Sequence, residues 1–295
     1  DTGEATVTSS LTFTSANWDT AKTVTVTGVD DDIIDGTQTS TITVSIIDGI
    51  SDNAFDAVAD QTVSVTTTDD DVAGFTIAET DGSTGVDESG STDLFTIVLD
   101  TQPSSDVVLS ITSSDTGEAT VESLIQFTSV NWDTPQNVTV TGVDDGIIDG
   151  TQTSTITVTV VDAITDDDFD AVADQTVSVT TTDDDVAGFT IAETEGSTGV
   201  DESGSTDLFT VVLTGRPITD VAFSISSSDS TETSVTSSLT FTSENWNTPQ
   251  NVTVTGLDDD IIDGTQTSTI TVSIDDTNSD NSFDPINDQT VSATN

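Results

Sequence analysis

The stretch Thr153-Ser-Thr-Ile-Thr-Val-Thr-Val-Val161 alternates small hydroxyl side chains with β-branched apolar ones. Successive side chains of a strand face opposite sides, so this pattern predicts a strand with one buried face and one hydroxyl-rich face. Asn137–Thr141 and Thr176–Thr181 alternate in the same way, and segments with a helical period are absent. The sequence therefore predicts an all-β protein.

The same segments return with a period of 114 residues. Trp18, Trp132 and Trp246 are spaced by this distance, and Asp69-Asp-Asp71 returns as Asp183-Asp-Asp185. With boundaries placed after each Asp triplet, the chain divides into three units. We expect 1–71 to be a partial repeat with C-terminal strands only, 72–185 a complete repeat, and 186–295 a nearly complete one. These are called the first, second and third units below.

Each unit has the length and turn spacing of one Greek-key β-sandwich of the immunoglobulin-like type. We predict seven strands in the second unit: A (74–77, continuing near 86), B (94–99), C (107–112), D (124–128), E (137–141), F (153–161) and G (176–181). The junction 183–189 contains no Gly/Ser-rich or Pro-rich spacer, so the sandwiches are expected to meet stiffly, end to end.

Composition excludes several classes of function. The 295 residues include 55 acidic and two basic ones, Lys22 and Arg216, giving a formal net charge of −53. Nucleic-acid binding needs clustered Lys and Arg, so no nucleic-acid partner is expected. The chain has no His and no Cys, which removes disulfides and zinc sites with N or S ligands. No apolar run is long enough for a membrane span.

Strand order places the acidic residues without reference to a structure. In an antiparallel sandwich, alternate loops lie at the same end, so the A–B, C–D and E–F loops share one pole with the exit of strand G. These four segments carry, in the second unit, Glu88; Asp115 and Glu118; Asp144, Asp145 and Asp149; and Asp183, Asp184 and Asp185.

Crowded carboxylates repel one another and raise one another's pKa values, which a bound cation reverses. Ca²⁺ takes six to eight oxygen ligands in irregular geometry, whereas Mg²⁺ demands octahedral order. The alternative is that Asp-rich turns are simply solvated, because Asp is a common turn former. Convergence of four distant segments favours calcium. We also consider a second ion, as an alternative to solvated loops, where Asp183–Asp185 would meet the F–G loop of the third unit, with Asp280, Asp284 and Asp288.

These residues give the chain a resemblance to the Calx-β domain family. It is carried by Val86-Asp-Glu88, Ser114-Asp-Thr-Gly117, Val138-Thr-Val-Thr-Gly-Val-Asp-Asp145 and Asp183-Asp-Asp185. The resemblance implies a seven-stranded sandwich that binds calcium at the pole described above. One departure is Gln152, where calcium-sensing members carry another acid, which leaves fewer ligands.

The resemblance and the repeat period together give the candidate calcium ligands. In the second unit they are Glu88, Asp115, Asp144, Asp145, Asp149, Asp183, Asp184 and Asp185. In the first unit they are Asp30, Asp31, Asp35, Asp69, Asp70 and Asp71. In the third unit they are Glu202, Asp229, Asp258, Asp259 and Asp263.

Tandem, Cys-free and very acidic copies are similar to the extender regions of giant bacterial surface adhesins. We therefore expect an extracellular, cell-surface stalk that calcium stiffens, with neighbouring repeats of the same chain as its partners. The alternative is a subunit of a self-assembling extracellular fibre or sheath, with other copies as partners. An enzyme is not expected, because the same acids recur in every unit and nothing marks one copy as a cleft.

Overall fold

The structure is a computed structural model and describes residues 1–258, 260–262 and 264–295. It consists of β-strands joined by loops and by short 3₁₀ turns. These turns are Asp48–Ile50, Asn53–Phe55, Thr80–Gly82, Asp162–Ile164, Asp167–Phe169, Thr194–Gly196, Asp276–Asn278 and Asn281–Phe283. No helix in these ranges is long and apolar enough to cross a bilayer. The all-β prediction is confirmed.

The second unit is a sandwich of two sheets. Its strands are β5 (Phe75–Glu79), β6 (Thr84–Asp87), β7 (Thr92–Leu99), β8 (Val107–Ser113), β9 (Ala119–Val121), β10 (Leu124–Phe127), β11 (Gln136–Gly142), β12 (Gln152–Val160) and β13 (Gln175–Thr182). One sheet has the order β10-β8-β12-β13-β6 and the other the order β5-β7-β11-β9. All pairs are antiparallel except β6 with β13, which run parallel.

One of the seven predicted strands is divided between the sheets, because strand A becomes β5 and β6. Predicted strand D (124–128) is β10, and β9, which lies in the expected C–D loop, is an additional strand of the other sheet. The turn between β5 and β6 contains Asp81 and Gly82, both with positive φ, and this left-handed backbone turns the chain from one sheet to the other. The remaining strands B, C, E, F and G are β7, β8, β11, β12 and β13. Loops are named below by these letters.

The third unit repeats this order. Its strands are β14 (Phe189–Glu193), β15 (Thr198–Gly199), β16 (Thr206–Leu213), β17 (Val221–Ser227), β18 (Thr233–Val235), β19 (Ser238–Phe241), β20 (Gln250–Gly256), β21 (Thr267–Ile274) and β22 (Gln289–Thr294). The sheets are β15-β22-β21-β17-β19 and β14-β16-β20-β18. The first unit contains β1 (Ala5–Val7), β2 (Val26–Gly28), β3 (Gln38–Val44) and β4 (Gln61–Thr67), paired as β1-β2 and β3-β4.

The strand alternation builds the cores. In β12, Ile156 and Val158 are fully buried, whereas Thr155 and Thr157 lie on the outer face opposite Ser178 and Thr176 of β13. The second and third units each have a buried apolar cluster of their own. In the first unit the equivalent side chains are exposed: Phe13 is 52% exposed, whereas Phe127 is fully buried. No described residue covers this face of the first unit.

Consecutive units touch through two loops. Ile147 of the E–F loop of the second unit forms a parallel bridge with Arg216 of the B–C loop of the third unit. Ile33 and Gln102 form the equivalent bridge between the first and second units. The F–G loop was expected at this joint, and the bridges and backbone hydrogen bonds described there are made by the B–C loop.

Candidate metal centre

Parallel pairing of β6 with β13 brings two distant segments together. The two strands end side by side at the same pole, and the backbone N–H of Glu88 donates to the carbonyl oxygen of Thr182, 3.1 Å away. Glu88 therefore lies directly beside the Asp triplet that follows β13. The C–D and E–F loops are tied together in turn, because Val143 N–H donates to the Glu118 carbonyl oxygen at 2.9 Å.

Asp183 fixes the E–F loop to the exit of strand G. Its Oδ2 accepts hydrogen bonds from the backbone N–H groups of Asp149 (3.0 Å) and Gly150 (2.7 Å), and its Oδ1 accepts one from Asp185 at 2.7 Å. Gly150 has a φ of 71°, a conformation that glycine adopts without steric cost. Asp69 makes the same three bonds in the first unit, and these bonds lower the pKa of Asp69.

Two groups of carboxylates with closely spaced oxygen atoms result. Glu88, Glu118 and Asp149 each place one oxygen within 4.8 Å of the others, and so do Glu88, Asp183 and Asp185. Glu88 belongs to both groups. In the first unit, Glu4, Asp31 and Asp35 form a group of the same kind.

The central acids are buried and incompletely hydrogen-bonded. Glu88 is 1% exposed and Glu118 is 6% exposed. The Oε2 atoms of both, with Asp149 Oδ1 and Asp185 Oδ2, are buried and accept no hydrogen bond. A buried polar atom without a partner is costly, and a buried charge is normally paired or bound to a metal.

The electrostatics of the cluster agree with its geometry. Burial, followed by the charges of Asp183 and Asp145, raises the pKa of Glu88 from its ordinary 4.5 to about 7. Burial and neighbouring acids also raise the pKa values of Glu118, Asp149 and Asp185. At neutral pH these groups repel one another, and the side chains described around them supply no cation.

The chain's two basic residues lie elsewhere. The Lys22 ammonium lies 5.2 Å from the centre of the Phe13 ring, in the first unit. Arg216 is an exposed residue of the joint between the second and third units. Compensation for the buried carboxylates must therefore come from protons or from a bound cation.

The donor set fits calcium. It consists of carboxylate oxygens only, from four segments with irregular mutual geometry, which suits a hard cation with a variable coordination number. In the first unit, a cavity of about 20 Å³ is lined by Glu4 and by all six predicted ligands of that unit. This is room for one water-sized ion among seven acids.

The remaining predicted ligands of the second unit lie at the rim of the cluster. Asp145 and Asp144 are exposed, but their charges act on Glu88 and on Asp185 respectively. Asp184 also acts on Asp185. Asp115 is an exposed turn residue whose Oδ1 accepts from Gly117 N–H at 2.9 Å, and its charge raises the pKa of Glu118.

Three of the five predicted ligands of the third unit lie among the described residues. Glu202 is exposed, in contrast to the buried Glu88, and Asp229 is a turn residue that accepts from Thr231. Asp258 accepts from the backbone N–H of Asp260. Asp259 and Asp263 lie outside the described residues. At the end of β22, the Asn295 amide donates to Glu232 Oε2 at 3.0 Å.

Two acids of these groups are absent from the predicted ligand set, namely Glu118 in the second unit and its equivalent Glu4 in the first unit. Their signal was the recurring Asp-x-x-Glu of 1–4, 115–118 and 229–232. The second ion considered between Asp183–Asp185 and the F–G loop has no matching group among the described residues. Asp280 of that loop instead accepts hydrogen bonds from Ile218 and Thr219 of the B–C loop.

No family model and no curated protein matches the chain. Among solved structures, CBD12 from CALX1.2 is 15% identical and covers 67% of this chain and 79% of its own, with a TM-score of 0.29. Domains 4–9 of the surface layer protein SbsC are 17% identical over 92% of this chain and 36% of theirs, with a TM-score of 0.30. Titin domains I67–I69 are 9% identical and cover 88% of this chain and 73% of their own, with a TM-score of 0.33. At these scores we draw no inference about function from them.

Proposed function

We propose that this chain is part of a calcium-stabilised rigid extender of a large bacterial surface adhesin, located outside the cell. The observation that carries the proposal is the buried, unpaired carboxylate cluster of Glu88, Glu118, Asp149 and Asp185. Ca²⁺ would be held by these residues and Asp183, with Asp144, Asp145 and Asp184 beside them. Bound calcium would neutralise the pole and stabilise the folded state by mass action.

The E–F loop links this site to the mechanical role. Residues 144–150 carry Asp149 in the cluster, Asp145 at its rim and Ile147 at the joint with the next unit. An ion that orders this loop would also stiffen the joint, so a tandem array would project a distal module as a rod. The large negative charge would keep neighbouring stalks apart and soluble.

Small-angle X-ray scattering of the chain with calcium and with a chelator tests this proposal. We expect a longer maximum dimension and a narrower distance distribution with Ca²⁺ than without it. Calorimetric titration of calcium into the same chain gives the number of ions. Absence of calcium binding at millimolar concentration would overturn the proposal.

A subunit of a self-assembling fibre or sheath is the second candidate. The observation in its favour is the edge strands of the second and third units: β10 and β19 each end their sheet, and Leu124 in β10 is 57% exposed. Exposed edges of this kind can add strands from another chain. Light scattering separates the two functions, because an extender stays monomeric in calcium and a fibre subunit polymerises.

A further inference from the structure

Ile148 belongs to the second unit by sequence but to the core of the third unit by contact. It is 7% exposed and packs in the same buried cluster as Phe189 and Leu213. If Gly215 carried a Cβ atom, that atom would lie only 2.6 Å from the Cδ1 of Ile148. A side chain of one E–F loop thus fills a gap beside the B–C loop of the next unit.

Backbone hydrogen bonds fix this contact in register. Arg216 N–H donates to the Gly146 carbonyl oxygen at 3.1 Å, and Ile148 N–H donates to the Arg216 carbonyl oxygen at 3.0 Å. At the preceding joint, Gln102 N–H donates to the Asp32 carbonyl oxygen at 2.9 Å. The side chains differ between the joints, so the backbone defines the docking geometry.

The B–C loop is shaped before it docks. In the third unit, Asp280 Oδ2 accepts from the N–H groups of Ile218 and Thr219, both at 2.9 Å. In the second unit, Asp166 Oδ2 accepts from Ser105 N–H at 2.6 Å and from Ser104 Oγ at 2.8 Å. Both carboxylates are almost fully buried. The F–G loop therefore holds each B–C loop in the conformation that meets the preceding unit.

The third unit presents the same apolar residue with no described residue covering it. Ile262 corresponds to Ile148 at the 114-residue spacing, yet Ile262 is fully exposed and Ile148 is buried. Ile34, the equivalent in the first unit, is partly buried. An isoleucine at the tip of an otherwise acidic loop is costly in water unless a partner covers it.

We infer that the loop bearing Ile262 is a docking surface for the B–C loop of a further copy of this repeat. The partner loop offers a small residue, a residue whose backbone N–H donates to the preceding unit, and a buried proline, as in Thr101-Gln-Pro103 and Gly215-Arg-Pro217. This inference deepens the extender proposal by naming the surface through which units add. The docking inference rests on contacts that involve no metal. It can therefore fail while calcium binding is confirmed, and calcium binding can fail while docking is confirmed.

Thiol labelling tests the inference, because the chain contains no cysteine. Ile262→Cys is made in the 295-residue chain and in a chain lengthened by a copy of residues 182–295 after Asn295, which continues the repeat in register. Both are labelled with Ca²⁺ and with chelator, so that protection by the added copy is distinguished from protection by an ion. We expect labelling of the introduced thiol to slow by about tenfold or more in the longer chain, because a buried thiol reacts only when the joint opens.

A matched variant identifies the contact. Arg216→Pro in the added copy removes the backbone N–H that the joint uses, and we expect it to restore fast labelling. Circular dichroism of each chain verifies folding. Equal labelling rates in the short and long chains overturn the inference, and so does protection that survives the proline substitution.

Discussion

Gly142 at the end of β11 lies directly against the backbone of Asp87. A Cβ at Gly142 would be 2.0 Å from the Asp87 carbonyl oxygen and 2.9 Å from its carbonyl carbon. The Gly142 N–H donates to the Ser91 carbonyl oxygen at 3.0 Å, which closes the turn that carries Glu88. Only glycine permits this approach, so strand E sets the position of the buried glutamate at the metal centre.

Gly142→Ala should therefore displace the Glu88 turn. We expect a loss of about 1–3 kcal/mol in the free energy of unfolding, as for other overpacked sites, together with weaker calcium binding. Urea unfolding and calorimetric titration measure the two effects. Gly28→Ala is the matched control, because a Cβ there meets only Thr67 Cγ2, at 3.8 Å. Equal effects of the two substitutions would contradict this account.

Calcium removal should lower the melting temperature. At a free concentration one hundred times the dissociation constant, one ion stabilises the folded state by about 2.7 kcal/mol. For a domain of this size the chelated protein should melt roughly 10 °C or more below the loaded one. Differential scanning calorimetry with Ca²⁺, with Mg²⁺ and with EDTA measures this. A melt that EDTA leaves unchanged would remove calcium from the proposal.

Glu88→Gln should have opposite effects with and without calcium. Without the ion, the substitution removes a buried charge whose pKa is raised to about 7, so it should stabilise the fold at pH 8 by about 1–3 kcal/mol. With calcium, it removes a ligand common to both carboxylate groups and should weaken binding. Glu122→Gln, an exposed acid of the same unit, is the control. Destabilisation in both conditions would show that Glu88 has a purely structural role.

The ion-free protein should lose stability as the pH rises from about 4.5 to 7. The folded state favours protonated Glu88, so this contribution is complete below the ordinary pKa of 4.5 and is lost as the pH rises through about 7. Asp166 and Asp280, whose pKa values are lowered from 3.8, act only at lower pH.

Urea titrations between pH 5 and pH 8 measure this dependence. Calcium affinity should rise over the same interval, because binding displaces the Glu88 proton. Glu88→Gln should flatten part of the ion-free slope. If the free energy of unfolding of Glu88→Gln depended on pH with the same slope as that of the unsubstituted protein, the whole effect would come from the net negative charge of the chain.

Ile148→Ala should destabilise the unit that follows the substituted one. Truncating a buried isoleucine costs about 2 kcal/mol or more, and the cavity would open in the core of the third unit. Trp246 fluorescence, in a background with Trp18 and Trp132 replaced by Phe, reports urea unfolding of the third unit. Ile262→Ala, at a fully exposed position, should change stability by less than about 0.5 kcal/mol. Equal shifts for the two variants would contradict the interdomain contact.

The strands were predictable because their signal is local. Alternation in Thr153–Val161 fixes which side chains face inward, and Ile156 and Val158 are indeed buried. The division of strand A between two sheets was not predictable in the same way. It depends on positive φ values at Asp81 and Gly82, and on pairing with β13, about a hundred residues further along the chain.

Strand alternation and the 114-residue period by themselves determined the all-β class and the pole at which the acids of four segments gather. These properties follow from the two-residue period of side chains in a strand and from the alternating direction of successive strands, and both can be inferred from the sequence. Only the tertiary structure decided that Glu88 and Glu118 are buried while Asp115 is exposed, and that Ile148 packs in the next unit's core. Burial depends on which distant segments cover a side chain, and the segments that cover Ile148 belong to the unit that follows it.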